Sequence, residues 1–277
     1  MYKMILIDVD GTLVRDDLTI PEENIRAIRE ASEKGIMIVL STGRQFLSAK
    51  QYAKEIGLTD PIVSSNGAYV ASHNEDNIYY EASIDKEDIL SADSLVKPHG
   101  FYWIFQNHDT MFAEDLDEYI ETFERPHKGI PFTDRINVEK IDENYTIEDL
   151  VVDHDHEIHK GFIFLNDEKV DEIERKLKEN KNLSVVKPTS TIVEITHKNA
   201  DKGRAALSLA KAYNIKPEEI MCLGDSGNDV TMFKSVGFPV AMGNAVDKLK
   251  EIAKHITDTN ENNGVAKAID KFILKKD

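Results

Sequence analysis

The apolar runs of this sequence are short, unbroken and not alternating. Met4-Ile5-Leu6-Ile7, Ile36-Met37-Ile38-Val39-Leu40, Pro61-Ile62-Val63, Ile220-Met221-Cys222-Leu223 and Pro239-Val240-Ala241-Met242 each stop at small or polar residues. A strand with one wet face alternates, whereas a strand that is apolar at every position is covered on both faces. That is the pattern of a central parallel sheet. Helical stretches separate the runs. Thr19-Ile20-Pro21-Glu22-Glu23 has the cap candidate, proline and first-turn acids of a helix start. Ile25, Ile28 and Ala31 follow at helical spacing, and Gly35 is a natural stop. A second helix is expected from about 45 to 56, closed by Gly57. Strands and helices in this order imply an α/β fold with a doubly wound parallel sheet.

The rhythm changes near residue 83. Ile84–Val96 reads as a helix, Tyr102–Gln106 and Thr110–Ala113 as paired strands, and Leu116–Phe123 as a helical piece before an irregular polar region over 125–144. A strand at Gly161–Leu165, a charged amphipathic helix at Asp167–Asn180 and strands at Leu183–Val186 and Thr191–Ile195 follow. After Lys198 the α/β order returns: a helix over Ala200–Tyr213, the strand at Ile220–Leu223, a helix over Val230–Val236, the strand at Pro239–Met242 and a helix over Val246–Ala253. His255–Thr257 reads as a last short strand, and Val265–Leu274 as the closing helix. A chain of 277 residues can hold two domains. The expected division is an α/β core of residues 1–82 and 188–277 with an inserted α+β module over 83–187.

The formal charge of −17 argues against a general nucleic-acid binder, because phosphate backbones attract basic surfaces. Residues 83–187 hold twice as many acidic as basic side chains, so the two regions differ in composition. A single cysteine, Cys222, excludes an internal disulfide and suits a reducing compartment. No apolar stretch approaches membrane-span length, and the first strand begins too close to Met1 for a signal peptide. The expectation is a cytoplasmic protein that binds neither membrane nor nucleic acid.

Polar clusters stand at three strand ends: Asp8/Asp10, Ser41/Thr42 and Asp225/Asn228/Asp229. In a parallel sheet these ends share one edge, where open α/β sheets bind ligands. Asp8 and Asp10 are two apart, so on extended backbone both point the same way. Hard oxygen donors without His or Cys suit magnesium, which partners phosphate. Gly11 stands fourth counting from Asp8, which does not fit a calcium loop, and the chain has neither a G-x-x-x-x-G-K-[ST] phosphate loop nor a dinucleotide fingerprint at Gly224.

These motifs resemble those of haloacid dehalogenase superfamily phosphatases, specifically the Cof-type, sugar-phosphatase-like group. The D-x-D-G-T motif is matched by Asp8-Val9-Asp10-Gly11-Thr12, the Thr motif by Thr42, the Lys motif by Lys202, and G-D-x-x-N-D by Gly224-Asp225-Ser226-Gly227-Asn228-Asp229. The order and spacing match over the whole chain, with the inserted module in the place of that group's cap. The resemblance implies a Rossmann-like core and magnesium-dependent hydrolysis of a small phosphorylated metabolite, a sugar phosphate first and a phosphorylated cofactor second. It makes Asp8 the nucleophile and Asp10 the general acid and base. Magnesium would be held by Asp8, Asp225 and the backbone carbonyl of Asp10. Thr42, Gly43, Lys202 and Asn228 would hold the phosphoryl oxygens, with Asp229 and Arg44 behind them. The cap would close over the site and select the substrate.

Blander readings exist for single residues. Thr42-Gly43 is a common helix cap, Asp229 could only cap the next helix, and Arg44 and Asn66 could be structural. Lys202 sits near a helix N-terminus, where the dipole disfavours a cation unless an anion is bound. The run Asp153-His154-Asp155-His156-Glu157-Ile158-His159 looks like a metal tract but has no ligand set elsewhere, so a solvated polar segment is expected. Trp103 and its aromatic neighbours are expected to form the module's core. Two rival functions share the chemistry: a phosphotransferase or phosphomutase passing the phosphoryl group to a sugar, and a non-enzymatic phospho-acceptor module.

Overall fold

The computed structural model describes residues 2–115, 117, 136–153, 157–165 and 169–276. The chain begins with β1 (Met4–Ile7), α1 (Glu22–Glu33), β2 (Met37–Ser41), α2 (Phe46–Ile56), β3 (Ile62–Ser64), β4 (Tyr69–Ala71) and β5 (Ile78–Glu81). Then come α3 (Lys86–Val96), β6 (Tyr102–Gln106), β7 (Thr110–Ala113), β8 (Asn137–Lys140), α4 (Ile147–Val152), β9 (Lys160–Phe164), α5 (Val170–Leu177), β10 (Leu183–Val186) and β11 (Ile192–His197). The last stretch holds α6 (Lys202–Ala212), β12 (Ile220–Gly224), α7 (Val230–Ser235), β13 (Phe238–Ala241), α8 (Asp247–Ile252), β14 (His255–Ile256) and α9 (Gly264–Ile269). Two compact units result, residues 1–81 with 201–277, and residues 82–200.

In the first unit the described strands form one sheet in the order β14-β13-β12-β1-β2-β3-β4-β5. From β14 to β3 the pairings are parallel. Met4, Ile5, Leu6 and Ile7 are fully buried, and Leu6 lies level with Cys222 on one side and Val39 on the other. A strand in that position has no wet face, which is why β1 reads as a continuous apolar run. Gly35 and Gly57 end their helical segments with φ of 80° and 78°, the left-handed backbone that glycine adopts without a steric cost.

The sheet is not parallel throughout. β4 and β5 add to it in antiparallel fashion, a hairpin that the sequence reading leaves out. β4 has only three residues and directly follows a turn at 65–67, and β5 alternates little because it is a partly exposed edge. Thr19 does not cap α1. Its hydroxyl and amide both bond to Asp17, and Pro21 leads straight into the first turn.

The second unit is α+β. Its described strands run β10-β11-β9-β6-β7-β8, antiparallel except for the β7–β8 pair. Residues of α3, α4 and α5 bury against one face with Trp103, Phe105, Ile163, Val193 and Ile195. Trp103 stacks on Phe105 at 4.7 Å and is fully buried, a core residue as its surroundings in sequence imply. Ile104, Met111, Phe162 and Phe164 form a separate cluster from alternate positions of the same strands.

Three expectations for this region need correction. β11 pairs with β9 and β10 and sends Val193 and Ile195 into the second core, so the boundary expected at 187/188 lies at 200/201. The polar stretch 137–140, expected to be irregular, is β8, an exposed strand without an apolar signature. α4 was not anticipated, although Thr146 and Asp149 form a capping box, the T-x-x-D pattern of a helix start. The helical piece expected at 116–123 falls almost wholly outside the described residues. The helix expected at 167–180 is described over Val170–Leu177.

β1 should be the costliest place to cut the first core. Leu6→Ala removes a fully buried side chain from the central strand and should lower the free energy of unfolding by about 2–5 kcal/mol. Urea denaturation followed by circular dichroism measures this.

Candidate active site

β1, β2 and β12 run parallel, so their carboxyl ends share one edge of the first sheet. Asp8, Thr42 and Asp225 each follow one of those ends. The period-two argument for Asp8 and Asp10 fails locally, because β1 stops at Ile7 and a tight turn over Val9–Leu13 follows. Asp8 is buried, whereas the Asp10 side chain is 52% exposed and engages a different partner. Gly11 takes φ 71° within that turn. A Cβ at Gly11 would stand 2.5 Å from Asp225 Oδ2, so only glycine lets the turn lie against that carboxylate.

The centre of the site is an ion triad. Lys202 Nζ, fully buried, donates to Asp8 Oδ1 at 2.7 Å and to Asp229 Oδ1 at 2.6 Å. Lys202 is the first residue of α6, where the helix dipole costs a cation about 0.3–1 kcal/mol. Two carboxylates at under 3 Å outweigh that severalfold, even with an effective dielectric of about 20. Burial alone pulls the ammonium's pKa down, yet Asp229 and Asp8 reverse this and raise it. The depth of Lys202 depends on Gly203, whose missing Cβ would stand 2.5 Å from the Thr231 carbonyl of α7.

The triad leaves negative charge in excess. Asp8 is raised well above the usual carboxylate range, first by burial and then by Asp229, with Lys202 opposing. Asp225 is pushed up to about 6 by burial and Asp229, against the hydrogen bond that Thr12 Oγ1 donates to its Oδ1 at 2.8 Å. Carboxylate oxygens of Asp8, Asp225 and Asp229 lie within 4.8 Å of one another, and this is the one such group of potential metal ligands among the described residues. The three do not play equal parts. Asp229 Oδ1 is taken by Lys202 and Oδ2 by the amides of Asp225 and Ser226, so it braces the loop and the lysine. Hard oxygen donors carrying more negative charge than their one ammonium can balance fit a divalent cation, with Asp8 and Asp225 the residues to hold it.

Around this centre lie the other residues singled out in the sequence. Thr42 is buried, and its Oγ1 accepts from the Arg44 amide at 3.1 Å. Arg44 grips Asp10 with two bonds, Nε to Oδ2 at 2.8 Å and Nη2 to Oδ1 at 2.6 Å, and its guanidinium lies 4.9 Å from the Tyr52 ring centroid. Asn228 donates to Asn66 Oδ1 at 3.0 Å and accepts from Ser226 Oγ at 2.6 Å. That same Asn66 oxygen would lie 2.7 Å from a Cβ on Gly43. In the 153–159 run, His159 is fully buried and its amide bonds to the Gln106 carbonyl, while His154 and His156 lie outside the described residues.

Residues missed in the sequence hold the Asp10–Val14 turn. Asn244 donates to the Gly11 carbonyl at 2.8 Å, Asn260 to Val14 O at 3.2 Å, and Asn24 to Leu13 O at 3.1 Å. Asn244 Oδ1 in turn accepts from the Asn260 amide. Asn244 was within reach of the strand-end argument, because Gly243-Asn244 closes β13 as Thr42-Gly43 closes β2. Asn24 and Asn260 sit within a helix and a loop, and no local pattern marks them.

The family model for haloacid dehalogenase-like hydrolases matches residues 5–269. A 5-amino-6-(5-phospho-D-ribitylamino)uracil phosphatase of Bacillus subtilis, YcsE, is 32% identical over 98% of this chain and 96% of its own. The solved structure of TM0651 from Thermotoga maritima superposes with a TM-score of 0.85 at 30% identity, covering 98% of each chain. A subclass IIB sugar phosphatase, BT4131, shares the fold with a TM-score of 0.79 at 22% identity over 98% of both chains. The chain belongs to the haloacid dehalogenase-like hydrolases and is an enzyme of their phosphatase branch.

Lys202→Met should expose how much the triad depends on its one cation. Losing a buried partner costs about 3–5 kcal/mol of unfolding free energy. The loss should be larger at pH 7.5 than at pH 5. Lys202 holds the Asp8 and Asp225 carboxyls below where burial and Asp229 would put them, so without it both rise further. The folded variant therefore binds more protons than the folded wild type; those protons relieve the loss at low pH and are given up as pH rises. Urea titrations without metal at both pH values measure it, and equal losses would contradict the charge argument.

Proposed function

We propose that this enzyme is a magnesium-dependent phosphatase that hydrolyses small phosphomonoesters through an aspartyl-phosphate at Asp8. The observation that carries this reading is the buried Lys202, shared by Asp8 and Asp229 beside Asp225 at the carboxyl edge of a parallel sheet. An Asp8 oxygen attacks phosphorus in line, the bond from phosphorus to the ester oxygen breaks, and the departing alkoxide takes a proton from Asp10. Asp10 then removes a proton from water, which attacks the acyl-phosphate, releases inorganic phosphate and restores Asp8. Thr42, the Gly43 amide, Lys202 and Asn228 hold the non-bridging oxygens and stabilise the charge that gathers there. A magnesium ion held by Asp8, Asp225 and the Asp10 carbonyl would screen the repulsion between carboxylate and phosphate. Arg44 keeps the Asp10 carboxylate oriented through its two-point grip.

Sugar phosphates are the first substrate class to test, with phosphorylated cofactors next. A relative named for a phosphoribityl substrate and a fold neighbour named a sugar phosphatase support this choice. The second unit, residues 82–200, is the region expected to carry specificity.

Asp8→Asn should abolish phosphate release from p-nitrophenyl phosphate, by at least about a thousandfold, while the melting temperature stays near wild type. Retained turnover would sink the proposal. Asp10→Asn should slow both steps by about 10²–10⁴. With this good leaving group the second step suffers more, so phosphorylated protein should accumulate and be visible by intact mass. Magnesium should restore activity lost to a chelator. It should also raise the melting temperature more at pH 7.5 than at pH 5, because Asp225 titrates near 6. Transfer to added sugar acceptors in excess of phosphate release would instead make the enzyme a phosphotransferase, and a stable phosphoprotein without turnover would make it a phospho-acceptor.

A further inference from the structure

Three consecutive residues of the first unit, Ser65, Asn66 and Gly67, have left-handed backbone, with φ of 49°, 58° and 90°. Side chains with a Cβ rarely occupy that region, and two adjacent ones do so only where the surroundings dictate it. Here the surroundings are the phosphate-holding segments. The Ser65 amide donates to the Arg44 carbonyl at 2.7 Å and the Asn66 amide to the Thr42 carbonyl at 3.0 Å, so the turn follows the segment that carries Thr42 and Gly43. On its other side Gly67 meets the start of α6. A Cβ there would overlap the Asp201 carbonyl and stand 2.8 Å from the Lys202 backbone nitrogen. The Asn66 side chain reaches the remaining segment, accepting from Asn228 Nδ2.

We infer that Asn66 is a positioning residue of this site, acting through Asn228. Asn228 has an acceptor and two N–H donors. Ser226 Oγ takes the acceptor and Asn66 takes one N–H, which fixes the orientation of the amide and leaves the second N–H for an incoming oxygen. Without Asn66 that amide can rotate, and the site loses a donor set in advance of binding. The left-handed turn places Asn66 where it can do this, because the same Oδ1 also fills the space beside Gly43 that a Cβ would need.

The inference rests on the site binding a phosphoryl group, and the test separates the two. Wild-type enzyme that fails to release phosphate from p-nitrophenyl phosphate would remove that reading before any variant is compared. With wild-type activity in hand, Asn66→Gly keeps the left-handed backbone and removes only the side chain. Its melting temperature should equal or exceed wild type, while kcat/KM falls about tenfold and the inhibition constant for inorganic phosphate rises in step. Asn66→Ala should melt lower than Asn66→Gly yet show the same inhibition constant, since strain affects the fold and the missing oxygen affects the site. In an Asn228→Ala background, Asn66→Gly should cost less than twofold, because its effect passes through Asn228. Unchanged phosphate inhibition in Asn66→Gly, or the full tenfold loss repeated in the Asn228→Ala background, would overturn the assignment.

Discussion

An ammonium group buried between two carboxylates governs the arrangement of this enzyme's first unit. Lys202 cannot be buried without a carboxylate partner, and Asp8 and Asp229 share the one ammonium that offsets their charge. The groups come from three separate elements: the end of β1, the start of α6 and the loop after β12. The sheet register that levels β1 with β12 and the close packing of α6 on α7 therefore serve electrostatics as well as core burial. The triad still falls short of neutrality, and the Asp225 carboxyl, raised first by its own burial, is raised further by Asp229. A site built in this way is poised to take up positive charge along with the anion it handles.

Backbone carbonyls and asparagines do the remaining positioning. The turn after Asp8 is too irregular to be held by sheet or helix bonds alone, and Asn24 of α1, Asn244 after β13 and Asn260 after β14 anchor its carbonyls. Asn66 and Asn228 repeat the device between the segments that follow β3 and β12. Asparagine suits this work because it offers both a donor and an acceptor without adding charge to an already acidic centre.

Much of this was legible in the sequence because it is written locally. Unbroken apolar runs mark strands covered on both faces, and the acids at their ends follow directly. Features that depend on distant partners were not legible. β4 and β8 are too short or too polar to carry a period, and β11 could be assigned to the second sheet only through its pairing with β9. The pair Asp8 and Asp10 is instructive. Spacing suggested a shared direction, but the strand ends between Ile7 and Asp8, and the turn gives one aspartate a buried lysine and leaves the other half exposed, paired with an arginine. Lys202 looked misplaced at a helix start until the two carboxylates that compensate the dipole came from elsewhere in the chain.

Gly203 carries a consequence for anyone wishing to improve this protein. A glycine in a helix is an obvious target for replacement by alanine, which ordinarily gains about 0.5–1 kcal/mol. Here the added methyl would meet the backbone of α7 and force the two helices apart, carrying Lys202 with one of them. A library screened for heat tolerance alone would treat position 203 as an ordinary helical site. The distance between two helices is in effect an active-site parameter, set by a single hydrogen atom.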